Sequence, residues 1–235
     1  MDYSYVEQLI TFIDKSPTSF HVIDNMKQEL DEAGYTQLLE SAQWELKENG
    51  KYYVIRNGAS IIAFRIPKKD FKGYQIVASH SDFPAFKIKE NPEMTVKDYY
   101  VKLNVEKYGG VFIAPWLDRP LSIAGRLIVK EGNTIKTKLV NADRDLVVVP
   151  NLAIHMNRGA NEGYKWNVQK DLLPLYGDAD AKGTFMDVVA ESAHVKKDEI
   201  LGHDLFLYPR VRGCIWGKNE SFISSPRLDD LQSVF

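Results

Sequence analysis

Apolar residues recur along this chain in two different rhythms. Tyr5, Val6, Leu9, Ile10 and Ile13 follow the helical period, and Ser16-Pro17 stops the run. Phe20, Ile23, Met26, Leu30 and Ala33 predict a second amphipathic helix, closed by Gly34. Residues 51–66 then change period. Tyr52-Tyr53-Val54-Ile55 and Ser60-Ile61-Ile62-Ala63-Phe64 flank Asn57-Gly58, a dipeptide suited to a tight hairpin turn. Tyr74 to Ala78 reads as a short buried strand leading into Ser79-His80-Ser81-Asp82. Two helices, a hairpin and a strand predict an α/β region in which helices cover a mixed sheet.

From about residue 95 the texture becomes β-rich. Val101, Leu103 and Val105 alternate with polar residues, and Leu121–Lys130 and Thr134–Val140 bracket Glu131-Gly132-Asn133 as a hairpin. Asp145 to Val149 adds a further β run, and one helix is expected near Phe185–Val195. This middle part reads as a mostly antiparallel, barrel-like domain over 95–222. It interrupts a first domain made of 1–94 and 223–235. At the C-terminal end Leu231, Val234 and Phe235 begin a helical stripe with little expected to pack on. Ending in mid-stripe, the chain reads as truncated; a tucked-in terminal turn is the competing account.

Composition changes this picture little. The 235 residues are 44% hydrophobic and 26% charged, an ordinary balance for a packed domain. A net charge of −2 and dispersed basic pairs, Lys68-Lys69 and Lys196-Lys197, give no reason to expect nucleic acid as a partner. No leader peptide and no run near the ~20 apolar residues of a membrane helix is visible. The lone Cys214 excludes an internal disulfide and is expected as a small packed side chain. A cytoplasmic protein without membrane contact is the simplest reading.

Candidate chemistry is thin residue by residue. His80 and Asp82 follow the expected strand, and ligand sites in open α/β sheets gather at strand carboxyl ends. A neutral imidazole ligates zinc, and a carboxylate beside it can hold its other ring nitrogen. The competing account is a polar surface loop. Asp229-Asp230 can bridge two divalent ions or merely suit a helix start. His155, in Pro150-Asn151-Leu152-Ala153-Ile154-His155-Met156, reads locally as a packing histidine or a catalyst. His21, His194 and His203 show no partner spacing. Tyr108-Gly109-Gly110 reads as a bend, and Trp116 with Asp118-Arg119 as a packed corner with a local ion pair. No phosphate loop and no serine nucleophile elbow occurs.

Taken in order, several segments resemble the aspartyl aminopeptidase family of di-zinc exopeptidases. They are Ser16-Pro17-Thr18-Ser19-Phe20-His21, Ala78-Ser79-His80-Ser81-Asp82 and Tyr108-Gly109-Gly110 followed by Trp116-Leu117-Asp118-Arg119. Leu121 to Arg126, Val149 to His155 and Ser225-Pro226-Arg227-Leu228-Asp229-Asp230-Leu231 complete the set, which runs the length of the chain. The resemblance implies that His80 ligates one zinc, Asp82 orients it, and Asp229 bridges both ions. Asp230 stands where the family often has Asn. His155 resembles a histidine that reaches into a neighbouring subunit's active site and stabilises the oxyanion.

The same resemblance implies a catalytic domain interrupted by a β-rich dimerisation domain, with dimers assembling into dodecamers. It implies two Zn2+ ions per site, with Mn2+ or Co2+ as substitutes, and peptide substrates that lose their N-terminal residue. Acidic N-terminal residues are the family preference, on which the residues present do not bear. The Glu-Glu segment expected to supply the general base, and further Asp and His ligands, are expected beyond residue 235. The chain by itself is therefore expected to be inactive. The alternative is a non-catalytic assembly module whose metal-site flanks are vestigial.

Overall fold

The computed structural model describes residues 2–68 and 70–235. Lys69, read above as half of a solvated basic pair, lies outside the described residues. The chain divides into two compact units. One contains Met1–Phe83 and Arg212–Phe235, and the other Pro84–Val211.

The first unit opens with α1 (Ser4–Asp14) and α2 (Ser19–Glu32). Ile10, Phe12 and Ile13 are buried on α1, and Phe20, Val22 and Ile23 on α2. Gly34 ends α2 as expected. At φ 78° its N–H donates to Asp31, and the Tyr35 N–H reaches back to Leu30, satisfying two terminal carbonyls. Strands β1 (Thr36–Leu38), β2 (Lys51–Arg56) and β3 (Ser60–Arg65) form a three-stranded sheet, β1 parallel to β2 and β3 antiparallel to it. Asn57 and Gly58 both take positive φ at the β2–β3 turn, the hairpin conformation their sequence predicts.

Tyr74–Ala78 is not a strand. Among the described residues it has no ladder partner, and Tyr74, Ile76 and Val77 are 70%, 82% and 89% exposed. An apolar run becomes a strand only when a neighbour takes its backbone hydrogen bonds. The sequence pattern recorded the side chains but not the missing partner.

The second unit is a barrel. Its strands are β4 (Ala85–Val96), β5 (Tyr100–Tyr108), β6 (Pro120–Glu131), β7 (Thr134–Asn141), β8 (Val147–Val148), β9 (Leu175–Asp178) and β10 (Ile200–Pro209). Six of them close antiparallel in the order β10-β4-β5-β9-β8-β6, with β6 returning to β10, while β7 extends the sheet beyond β6. Val101, Leu103 and Val105 on β5 and Leu121, Ile123, Leu127 and Val129 on β6 fill the interior. Gly125 lets β6 approach β10 closely, since a Cβ there would collide with the Asp204 carbonyl. Between β8 and β9 lies a one-turn helix, α3 (Val168–Asp171); after β9 comes α4 (Phe185–Ala193). Phe185, Val189 and Ala193 form the fully or nearly fully buried stripe of α4.

The edges of this unit lie at 83/84 and 211/212, rather than near 95 and 222. Residues 85–96 belong with the barrel because β4 pairs with both β5 and β10. The run Lys89-Glu90-Asn91-Pro92-Glu93 hides that strand from a reading by hydrophobic alternation.

The returning segment carries the hairpin β11 (Cys214–Trp216) and β12 (Phe222–Ser224), then α5 (Leu228–Val234). Cys214 is exposed, not packed. The terminal stripe does have a partner. Leu231 is fully buried against Phe12, Ile13, Val22 and Phe83, and the Phe235 ring lies 5.0 Å from Tyr5 and 5.7 Å from Phe12. The expectation that this face would find little to pack on fails because α1 supplies the facing surface. Among the described residues no helix is long and apolar enough to cross a membrane.

Candidate metal centre

Packing of α5 on α1 brings the start of α5 beside the segment 80–83. Arg227, at φ 61°, donates from Nη2 to the Ile13 carbonyl at 3.0 Å, and its guanidinium lies 5.7 Å from the Phe83 ring centroid. One side chain therefore braces the end of α1, the residue after Asp82, and the approach to Asp229. Sequence reasoning did not single it out, although Arg227 sits inside the quoted Ser225–Leu231 motif.

His80 stands at the centre of the constellation. Its Nδ1 lies 2.9 Å from the Asp82 carbonyl oxygen and 3.4 Å from the Asp82 carboxylate. Its Nε2 lies 3.1 Å from Asp229 Oδ1, and its backbone N–H donates to Asp230 Oδ2 at 3.3 Å. Asp229 and Asp230 are joined by a cis peptide bond. The hydrogen bond to the Asp82 carbonyl raises the His80 pKa, against desolvation, and the charges of Asp230, Asp82 and Asp229 add to the rise. The Ser233 side chain, hydrogen-bonding to Asp230, lowers that carboxyl below its ordinary value.

This arrangement fixes the tautomer. A carbonyl oxygen only accepts, so Nδ1 carries a hydrogen and donates to it. In a neutral imidazole, Nε2 then turns a lone pair toward a carboxylate oxygen at 3.1 Å. Two acceptors face one another there, a conflict that a proton or a cation relieves. Nitrogen plus carboxylate is a zinc donor set. Both side chains are open to solvent, His80 at 54% and Asp229 at 90% exposure, which leaves room for further ligands. Among the described residues no group of three or more His, Cys, Asp or Glu side chains is arranged to hold a metal ion. The residues present thus fit zinc as part of a coordination shell.

His155 lies in the other unit, on an exposed loop after β8. It is not packed into that unit's core, and its neighbours Leu152, Ile154 and Met156 are also exposed. Trp116 does form a packed corner, its ring 5.1 Å from Phe86. The carboxylate of Asp118, expected in an ion pair with Arg119, instead accepts the Asn151 N–H at 2.7 Å. His21, treated as structural, contacts the Thr18 hydroxyl through Nδ1 at 2.8 Å, and burial pulls its pKa down to about 4.

Comparison with known proteins places the chain in a family. The profile of the aminopeptidase I zinc metalloprotease (M18) family matches residues 12–235. A Clostridium acetobutylicum protein named "Probable M18 family aminopeptidase 2" is 44% identical over 241 residues, which take in 99% of this chain and 56% of that protein. Among solved structures, Chaetomium thermophilum mApe1 matches with a TM-score of 0.87 at 30% identity, covering 96% of this chain and 55% of its own. The S. cerevisiae mApe1 dodecamer matches with a TM-score of 0.80 at 28% identity, over 97% of this chain and 53% of its own. The chain spans a little over half the length of the curated relatives it matches. With that profile covering residues 12–235, the chain belongs to the aminopeptidase I zinc metalloprotease family.

Proposed function

We propose that this sequence supplies the first part of a two-zinc aminopeptidase that releases N-terminal residues from peptides. The observation that carries the reading is the facing pair His80 Nε2 and Asp229 Oδ1, 3.1 Å apart, with Nδ1 already committed to Asp82. His80 would be a ligand to one ion, and Asp229 would be shared with a second. Asp82 holds the His80 ring in the ligating tautomer, chiefly through its main-chain carbonyl and with its carboxylate behind. Zinc bound there supplies a Lewis acid for the peptide carbonyl and makes water a nucleophile near neutral pH. His155, presented by a neighbouring subunit, donates to the oxyanion as charge develops on it.

The remaining ligands and a general-base Glu we assign to the half of the family's length that this chain does not span. The 235-residue chain alone is then inactive. Residues 84–211 serve self-association, a reading supported by a dodecameric neighbour and by the exposed Leu152, Ile154 and Met156. Acidic N-terminal residues are the substrate class that the aspartyl aminopeptidase resemblance offers.

Subunit mixing tests the reading directly. In the full-length enzyme, His155→Ala should lower kcat by about 10²–10³ while zinc content stays unchanged. Asp229→Ala should lose metal and activity together. When the two variants are mixed and exchange subunits, some activity should return, because intact metal sites then meet intact histidines. No recovery despite verified exchange would rule out a histidine shared between subunits.

A further inference from the structure

The Trp116–Arg119 corner has no part in the chemistry described so far, yet it grips the loop that carries His155. A short turn, Ala114–Trp116, delivers Leu117, which is nearly buried and bridges Val149 in parallel. The next residue, Asp118, takes a left-handed φ of 55°. Its N–H donates to the Val149 carbonyl at 2.9 Å, and its carboxylate accepts the Asn151 N–H at 2.7 Å. Asn151 in turn accepts the Leu152 N–H on its own side chain at 2.8 Å. One residue thus holds the chain on both sides of Pro150, five positions before His155. Beyond it, the Met156 N–H closes a turn onto the Ala153 carbonyl at 2.8 Å.

We propose that Asp118 is a positioning residue for His155, fixing the base from which the exposed 151–157 loop projects. The inference rests on the reading that His155 acts in catalysis. An exposed loop that must place one imidazole against a developing charge gains from being ordered beforehand, since displacement of about 1 Å can cost about 100-fold in rate. Aspartate suits the position twice. Asp and Asn tolerate the left-handed backbone better than most residues, and the carboxylate supplies the acceptor.

Asp118→Asn keeps both properties, whereas Asp118→Gly keeps the backbone conformation and loses the acceptor. Two readouts separate them: amide exchange across 151–157 in this chain, and kcat against KM in the full-length enzyme, with His155→Ala alongside. The Gly variant should exchange faster across the loop and lose roughly 10- to 100-fold in kcat, with KM and zinc content little changed. The Asn variant should match the parent in both. A Gly variant indistinguishable from the parent, or an Asn variant as impaired as Gly, overturns the proposal. If Gly loosens the barrel itself, faster exchange in β5 and β6 shows it, and exchange across 151–157 is then judged relative to those strands. A normal kcat for His155→Ala would instead sink the catalytic reading of His155, and the exchange data would still decide whether Asp118 holds the loop.

Discussion

His80 Nε2 faces Asp229 Oδ1 at 3.1 Å across 149 positions of sequence. Because Nδ1 already donates to Asp82, the neutral ring turns a lone pair toward that carboxylate, an arrangement suited to a cation. The chain alone should bind zinc measurably but weakly, since two protein ligands leave much of a tetrahedral shell to water. In calorimetric titrations with zinc chloride, His80→Ala and Asp229→Ala should each abolish that binding. Binding that survives both substitutions would move the metal elsewhere.

Leu231 connects that site to the core. It is fully buried against α1, and Asp229 and Asp230 immediately precede it in sequence at a non-helical kink. Leu231→Ala should destabilise the first unit by about 2–5 kcal/mol. Denaturant melts followed by tryptophan fluorescence would show it. The same variant should weaken zinc binding without touching a ligand, because α5 would lose its seat. A melt unchanged from the parent would mean that α5 is not anchored through Leu231.

His21 gives the first unit a signed pH dependence. Burial lowers its pKa from 6.5 to about 4 in the folded chain. Between these values the unfolded chain holds a proton that the folded chain refuses, so stability falls as pH drops from about 6.5 toward 4. His21→Gln should flatten the loss over this window by up to about 1.4 kcal/mol per pH unit, the slope of one proton. Parallel stability curves for parent and variant would show that the imidazole is not excluded from water as its surroundings imply.

A polypeptide of residues 84–211 should fold and self-associate. The barrel closes its own hydrogen bonds, and its core is drawn from its own strands, α4 and the segment before β9. Phe112, at 88% exposure, and the Leu152–Met156 side chains give it an apolar surface to bury. Sedimentation should detect dimers at tens of micromolar, on the order of a modest interface affinity. A clean monomer at that concentration would place the self-associating surface outside this unit.

What the sequence disclosed follows from where its signals are local. Gly34, Asn57-Gly58 and Gly132-Asn133 are turn chemistry, and each ended or joined elements where expected. Val101, Leu103 and Val105 announced a buried face through their alternation. Two of the misreadings concern partners distant in sequence. Tyr74–Ala78 has strand composition but no ladder neighbour among the described residues, and Leu231 and Phe235 look stranded until α1 is placed beneath them. The barrel's first strand was missed because Lys89–Glu93 interrupts its alternation. For the site, His-x-Asp and Asp-Asp were weak apart, and only the fold set His80 against Asp229. Arg227 and Asp118 lay inside quoted motifs but carried no local signal of what they grip.

The division of the chain also sets an order of events during synthesis. Residues 84–211 are one continuous stretch, able to collapse as soon as β10 has left the ribosome. Residues 1–83 precede them in the chain, yet they share their compact unit with 212–235, which follow them. At about 5–20 residues per second, the early helices wait several seconds for α5, holding Phe12 and Ile13 without the Leu231 that later covers them. The insertion therefore makes residues 1–83 wait for a segment made only after the barrel, and the interval before α5 arrives leaves a nascent-chain chaperone their apolar surface to protect.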